Sequence, residues 1–146
     1  MEPFNMKINN IRVCNIEDPV GYAMDEPVFS WNISDMKGEY DGAAVSIYKN
    51  GVIICEDGSA EMSDCLGMKA DAVLEPRARY DCRLTVCTDK EEASADFMFE
   101  TGKMDEPWMA KWISPKNTNN AIVRRTFELS AKQAEAASRL YICGLG

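Results

Sequence analysis

Histidine is absent from this sequence and carboxylates are abundant, with 24 aspartates and glutamates against 16 lysines and arginines. Any acid–base chemistry therefore falls to carboxyl groups, and Ser-His-Asp and Cys-His catalysis are excluded. Glu17-Asp18, Glu56-Asp57 and Asp89 with Glu91-Glu92 sit in loops or at polar positions of strands, where solvated surface charge is the expected role. Six cysteines (Cys14, Cys55, Cys65, Cys82, Cys87, Cys143) contain no CxxC pair. A zinc site would need thiolates and carboxylates alone, so scattered free thiols in a reducing compartment are expected, with no metal and no cofactor. Gly144-Leu145-Gly146 lacks the third glycine and the following helix of a phosphate loop. Trp108 and Trp112 are the aromatics that could stack on a sugar ring, although their four-residue spacing at a junction points first to packing between modules.

Whatever these side chains do, the rest of the chain must position them. A net charge of −8 opposes phosphate binding, which excludes nucleic acid as a partner. No window reaches the roughly 18 apolar residues of a membrane span, and MEPFNMKINNIRV lacks a secretory pattern, so a cytoplasmic, membrane-free chain is expected. Up to Gly102 acidic residues outnumber basic ones 20 to 9; from Lys103 onward basic ones lead 7 to 4. The shift coincides with the punctuated stretch ETGKMDEPW, which divides the chain into a domain over 1–103 and a second part over 104–146.

The first part reads as all-β. Strand-length apolar runs recur between turn signals: MKINNIRV, PVFSWNI, AAVSIYKNGVIIC, ADAVL, YDCRLTVCT and ADFMFET. Tyr80, Cys82, Leu84 and Val86 alternate with polar residues and should face a core, leaving Cys87 on the opposite face from Cys82. The same parity turns Phe29, Trp31 and Ile33 inward, then Phe97 and Phe99. Asn50-Gly51 suits the two positive φ angles of a type I′ hairpin turn. In LEPRARY, Leu74 ends a strand, Pro76 breaks it and Tyr80 opens the next, a spacing that lets the phenol reach back to the backbone as a tyrosine corner. Trp31 and Tyr80 are core residues by this pattern, and Asn32, in a formal glycosylation sequon, falls on a strand. In the second part, strands are expected over Ile122 to Leu129 and Arg139 to Cys143, joined by a helix of two to three turns that Ser130 and Gln133 would cap.

An inward Trp31, a tyrosine corner and about seven short strands together resemble a fibronectin type III-like (immunoglobulin-like) β-sandwich. MKINNIRVCNIEDPVGYAMDEPVFSWNI, the junction FETGKMDEPWMAKWISP and the closing VRRTFELS and RLYICGLG extend the likeness: the chain resembles the N-terminal part of bacterial α-L-rhamnosidases, glycoside hydrolase family 78. The resemblance makes Trp108, Ala110, Trp112 and Ile113 the start of a second β-sandwich, and implies a truncated chain. It places inverting hydrolysis in a downstream helical (α/α)6 barrel, on two glutamates. No position here matches those catalytic motifs, so the expected role is a non-catalytic accessory module whose partners are the downstream domains. Self-association through the truncated tail is a second expected contact. A carbohydrate-binding module and a protein-interaction module are the alternatives.

Overall fold

The computed structural model describes residues 5–114, 122–135 and 138–143 and divides into two compact units, 1–108 and 109–146. The first is a β-sandwich. Its strands are β1 (Lys7–Val13), β2 (Val20–Tyr22), β3 (Val28–Ser34), β4 (Tyr40–Lys49), β5 (Val52–Ser59), β6 (Met68–Lys69), β7 (Arg79–Thr88) and β8 (Glu92–Thr101), with a short 3-10 helix at Met62–Leu66. One sheet has the order β1-β3-β6, the other β2-β8-β7-β4-β5. The pairings are antiparallel except β2 with β8, which is parallel.

Alternation fixes which faces meet. Ala43, Val45 and Ile47 of β4 and Tyr80, Cys82, Leu84 and Val86 of β7 are buried on one face of the large sheet, and Phe29 and Trp31 of β3 on the facing side of the small one. Each fully buried aliphatic or aromatic side chain contributes roughly 1.5–3 kcal/mol. Phe29 and Phe97 meet edge to face across the sandwich with centroids 5.7 Å apart, and Tyr80 stacks on Phe99 at 5.0 Å. Asn50 and Gly51 take φ of 51° and 78°, the type I′ signature, and close the β4–β5 hairpin with Lys49 opposite Val52.

Strand β1 is not regular. Its inward residues Ile8, Ile11 and Val13 are spaced three and then two apart, a spacing that a period of two cannot bury on one face. A bulge solves this: Asn9 pairs with Asn32 and Arg12 with Ser30, so Asn10 and Ile11 oppose Trp31 alone. Asn10 takes φ of 51°, which places Asn9, Asn10 and Arg12 all on the exposed side.

Three expectations need correction. ADAVL forms no strand, although Ala70, Ala72 and Leu74 are buried and Val73 is 90% exposed. Side chains of β5 take the place of a ladder there: Asp57 Oδ2 accepts from the Asp71 amide at 2.7 Å, and the Cys55 thiol contacts the Asp71 carbonyl at 3.6 Å. Leu74 therefore ends no strand; it is a buried residue of an irregular segment. In the second unit, Ile122 to Leu129 and the described residues 139–143 are also irregular. A strand needs a neighbour for its backbone groups, and neither segment has one among the described residues. The helix α1 (Ala131–Glu135) does form, and its capping box is complete: the Ser130 amide donates to Gln133 Oε1 at 3.1 Å and the Gln133 amide to Ser130 Oγ at 3.4 Å. Its expected continuation runs into residues 136–137, and the glycine pair of Gly144-Leu145-Gly146 lies in 144–146; both stretches are outside the described residues.

Candidate functional site at the exit of the sandwich

A dense hydrogen-bond network holds the place where the chain leaves the first unit. Tyr80 is fully buried, and its hydroxyl oxygen accepts a hydrogen bond from the Glu75 amide at 2.7 Å, which closes the tyrosine corner across Pro76. Pro76 itself is exposed in the turn, where it needs no partner for an amide it lacks. Thr101, the last residue of β8 and 1% exposed, ties this corner to the exit. Its hydroxyl donates to the Glu75 carbonyl at 2.6 Å and accepts from the Ala78 amide at 3.0 Å, while its own amide donates to the Ala78 carbonyl at 2.9 Å.

The next residues continue the network. The Gly102 amide donates to the Tyr22 carbonyl at 2.7 Å, and its carbonyl accepts from the Arg77 amide at 2.8 Å. A Cβ at this position would collide with the Gly21 carbonyl oxygen, so only glycine allows β2 to approach the exit so closely. Arg77, at a φ of 54°, turns its guanidinium onto Glu106: Nη2 donates to Oε1 at 2.9 Å and Nε lies 2.8 Å from Oε2. The Lys103 ammonium sits 5.1 Å from the centre of the Trp108 ring and donates to the Pro107 carbonyl at 3.3 Å. Residues 102–106 are thus fastened to the body of the sandwich at Gly102 and Glu106, and Lys103 holds Pro107 and Trp108 within the segment.

Trp108 is 52% exposed and carries Lys103 against its ring; Trp112 lies in the second unit and is 70% exposed. Trp31 is 2% exposed in the core. Arg77, Thr101, Gly102 and Glu106 were not legible as a group from the sequence, because their partners lie more than twenty residues away. The one local signal was the glycine in ETGK.

Acid–base and nucleophilic chemistry find little support in the geometry. Asp96 is held below the usual carboxylate range by its hydrogen bond to Arg83, the opposite of what a general acid requires. Burial, then the charge of Asp81, pushes the Cys82 thiol up to about 12; burial and a hydrogen bond to Asp57 push Cys55 up to about 11. Both stay thiols at neutral pH and are poor nucleophiles. Among the described residues no three His, Cys, Asp or Glu side chains gather as a metal site.

Residues 8–105 match the family described as the Rha78A-like, N-terminal immunoglobulin domain. This chain belongs to that family. The Rha78A-like domain is also similar to two solved α-L-rhamnosidases: that of Streptomyces avermitilis complexed with L-rhamnose (23% identity, TM-score 0.59) and that of Dictyoglumus thermophilum (22% identity, TM-score 0.60). Each alignment covers 75% of this chain but 12% and 14% of theirs, so the chain spans a small fraction of those enzymes. CopC from Methylosinus trichosporium OB3b aligns over 70% of this chain and all of its own, at 9% identity and a TM-score of 0.50. At these identities the likeness is one of fold. Comparison with curated proteins finds no match. The matched range of the Rha78A-like domain ends inside the fastened segment, at Asp105.

Proposed function

We propose that residues 1–103 are a non-catalytic accessory module of an α-L-rhamnosidase, which sets the start of the chain that follows. The observation that carries this reading is the fastened exit: Thr101, Gly102, Arg77 and Glu106 hold 101–106 by hydrogen bonds and an ion pair rather than leaving a free linker. A module that only recruits a ligand has no need of such an exit, whereas one that positions a neighbour does. On this reading, residues 104–146 open a second sandwich. Exposed apolar side chains such as Ile122, Phe127, Leu140 and Ile142 are covered by that sandwich or by a second copy of the chain. Terminal α-L-rhamnosides are hydrolysed with inversion by residues outside 1–146. A reducing compartment, the cytoplasm, is part of this reading, and the free thiols support it.

Hydrolysis of 4-nitrophenyl α-L-rhamnoside tests the proposal. The 146-residue chain should release no nitrophenol; a polypeptide carrying it ahead of a rhamnosidase catalytic region should release it, and should lose thermal stability when residues 1–103 are deleted. Turnover by the 146-residue chain alone would overturn the non-catalytic reading. Deletion without effect on the stability of the remainder would overturn the positioning role.

A further inference from the structure

A concavity of about 600 Å³ lies on the outer face of the five-stranded sheet, with Arg79, Asp81, Arg83 and Asp96 in its lining. Its charges are spent on one another: Arg83 forks onto Asp96 at 2.7 and 3.0 Å, and Arg79 onto Asp81 at 3.2 and 3.0 Å. No charge in that lining is left unpaired for a ligand.

A smaller cleft, about 300 Å³, lies at the bulge of β1 and has the opposite character. Asn10, Arg12, Asn15, Ser30 and Asn32 line it together with Trp31, and no carboxylate does. Among the described residues, none of those five polar side chains makes a hydrogen bond or ion pair with the protein, and the buried Trp31 Nε1 has no partner either. In a chain of net charge −8, an arginine left without a carboxylate is conspicuous. Two of the asparagines also hold a conformation that L-residues avoid, Asn10 at φ 51° and Asn15 at φ 67°, each at a cost of about 1 kcal/mol. Bulges of this kind re-aim side chains beside binding sites.

We propose that this cleft binds a carboxylated sugar, a uronic acid residue, with Arg12 taking the carboxylate and the three asparagines and Ser30 taking ring hydroxyls. The chemistry is matched at each point. A guanidinium presents paired donors in the geometry of a carboxylate. Side-chain amides both donate and accept, as sugar hydroxyls do. Leu66, 79% exposed at the rim, supplies an apolar surface for the C–H face of the ring. Neither Trp108 nor Trp112 lines the cleft, and the inference stands whether or not the rhamnosidase reading holds.

Titration of the ¹⁵N-labelled chain with sodium D-galacturonate, D-galactose and sodium sulfate tests it. Galacturonate should give saturable shifts of the amide signals of Asn10, Arg12 and Asn32. Galactose, the same ring without the carboxylate, should bind about tenfold more weakly, the worth of one charge-assisted hydrogen bond. Arg12→Gln should lose a similar factor. Asn10→Gly, which keeps the left-handed backbone, should weaken binding less and checks the site with the bulge intact. Absence of saturable shifts would overturn the proposal, as would equal affinity for galactose or sulfate, or binding unchanged by Arg12→Gln.

Discussion

The exit of the sandwich and the bulge of β1 are both irregular, polar and rich in backbone angles that L-residues avoid, yet they treat their polar groups in opposite ways. At the exit, Tyr80 and Thr101 bond the backbone of Glu75 and Ala78, and Arg77 bonds Glu106 and the backbone of Gly102. At the bulge, the side chains of Asn10, Arg12, Asn15, Ser30 and Asn32 make no hydrogen bond or ion pair among the described residues. The contrast separates two uses of irregular structure. A closed network spends its hydrogen bonds on stability, because each buried group left unmade costs about 1–3 kcal/mol. An open one leaves them for water or a ligand.

Substitutions should divide the same way. Thr101→Val keeps the shape but strands the Ala78 amide and the Glu75 carbonyl; equilibrium urea unfolding should show a loss of about 2–3 kcal/mol. A loss under half a kcal/mol would mean that water replaces the hydroxyl, and the exit would be no more closed than the bulge. Tyr80→Phe removes the corner bond to the Glu75 amide while leaving the ring on Phe99, and should cost about 1–2 kcal/mol by the same measurement.

Cys82→Ala should cost about 1 kcal/mol at neutral pH, and its pH dependence is the sharper test. The folded state raises this thiol from the ordinary value near 9 to about 12, so it binds the proton more tightly than the unfolded chain does. Its contribution is complete below pH 9 and is lost as pH rises from 9 towards 12. The wild type should therefore fall in stability across that window more steeply than Cys82→Ala, as read from melting temperatures at successive pH values.

Glu106→Gln breaks a half-exposed ion pair with Arg77 and should change global stability by about 0.5 kcal/mol or less. Hydrogen exchange of the Glu106 amide, which donates to the Lys103 carbonyl at 3.0 Å, should nevertheless quicken, since the clamp is local. Arg12→Gln at the bulge should leave stability within about 0.5 kcal/mol of wild type. A large loss there would show that Arg12 holds the fold together, and the contrast between the two regions would fail.

Much of the fold was legible because its signals are local. The alternation in YDCRLTVC named the inward face of β7, Asn50-Gly51 specified the β4–β5 turn through the φ angles it tolerates, and LEPRARY placed a phenol four residues past a proline. The second unit shows the limit of such signals. Ser130 and Gln133 cap a helix because both partners lie within one turn, but the apolar runs either side of it remain irregular, since a strand is completed only by a neighbour.

By itself, then, the sequence determined an all-β module with an inward Trp31 and a tyrosine corner at Tyr80, and it ruled out histidine-based catalysis by omission. Only the tertiary structure decided which polar residues are spent and which are free. Arg77 and Arg12 are both arginines in polar surroundings; one is held by Glu106, 29 residues further along, and the other meets no carboxylate among the described residues. Local sequence cannot tell them apart. The partner of a charge is set by how the strands are ordered in the sheets, and that order is fixed by the burial of the whole core.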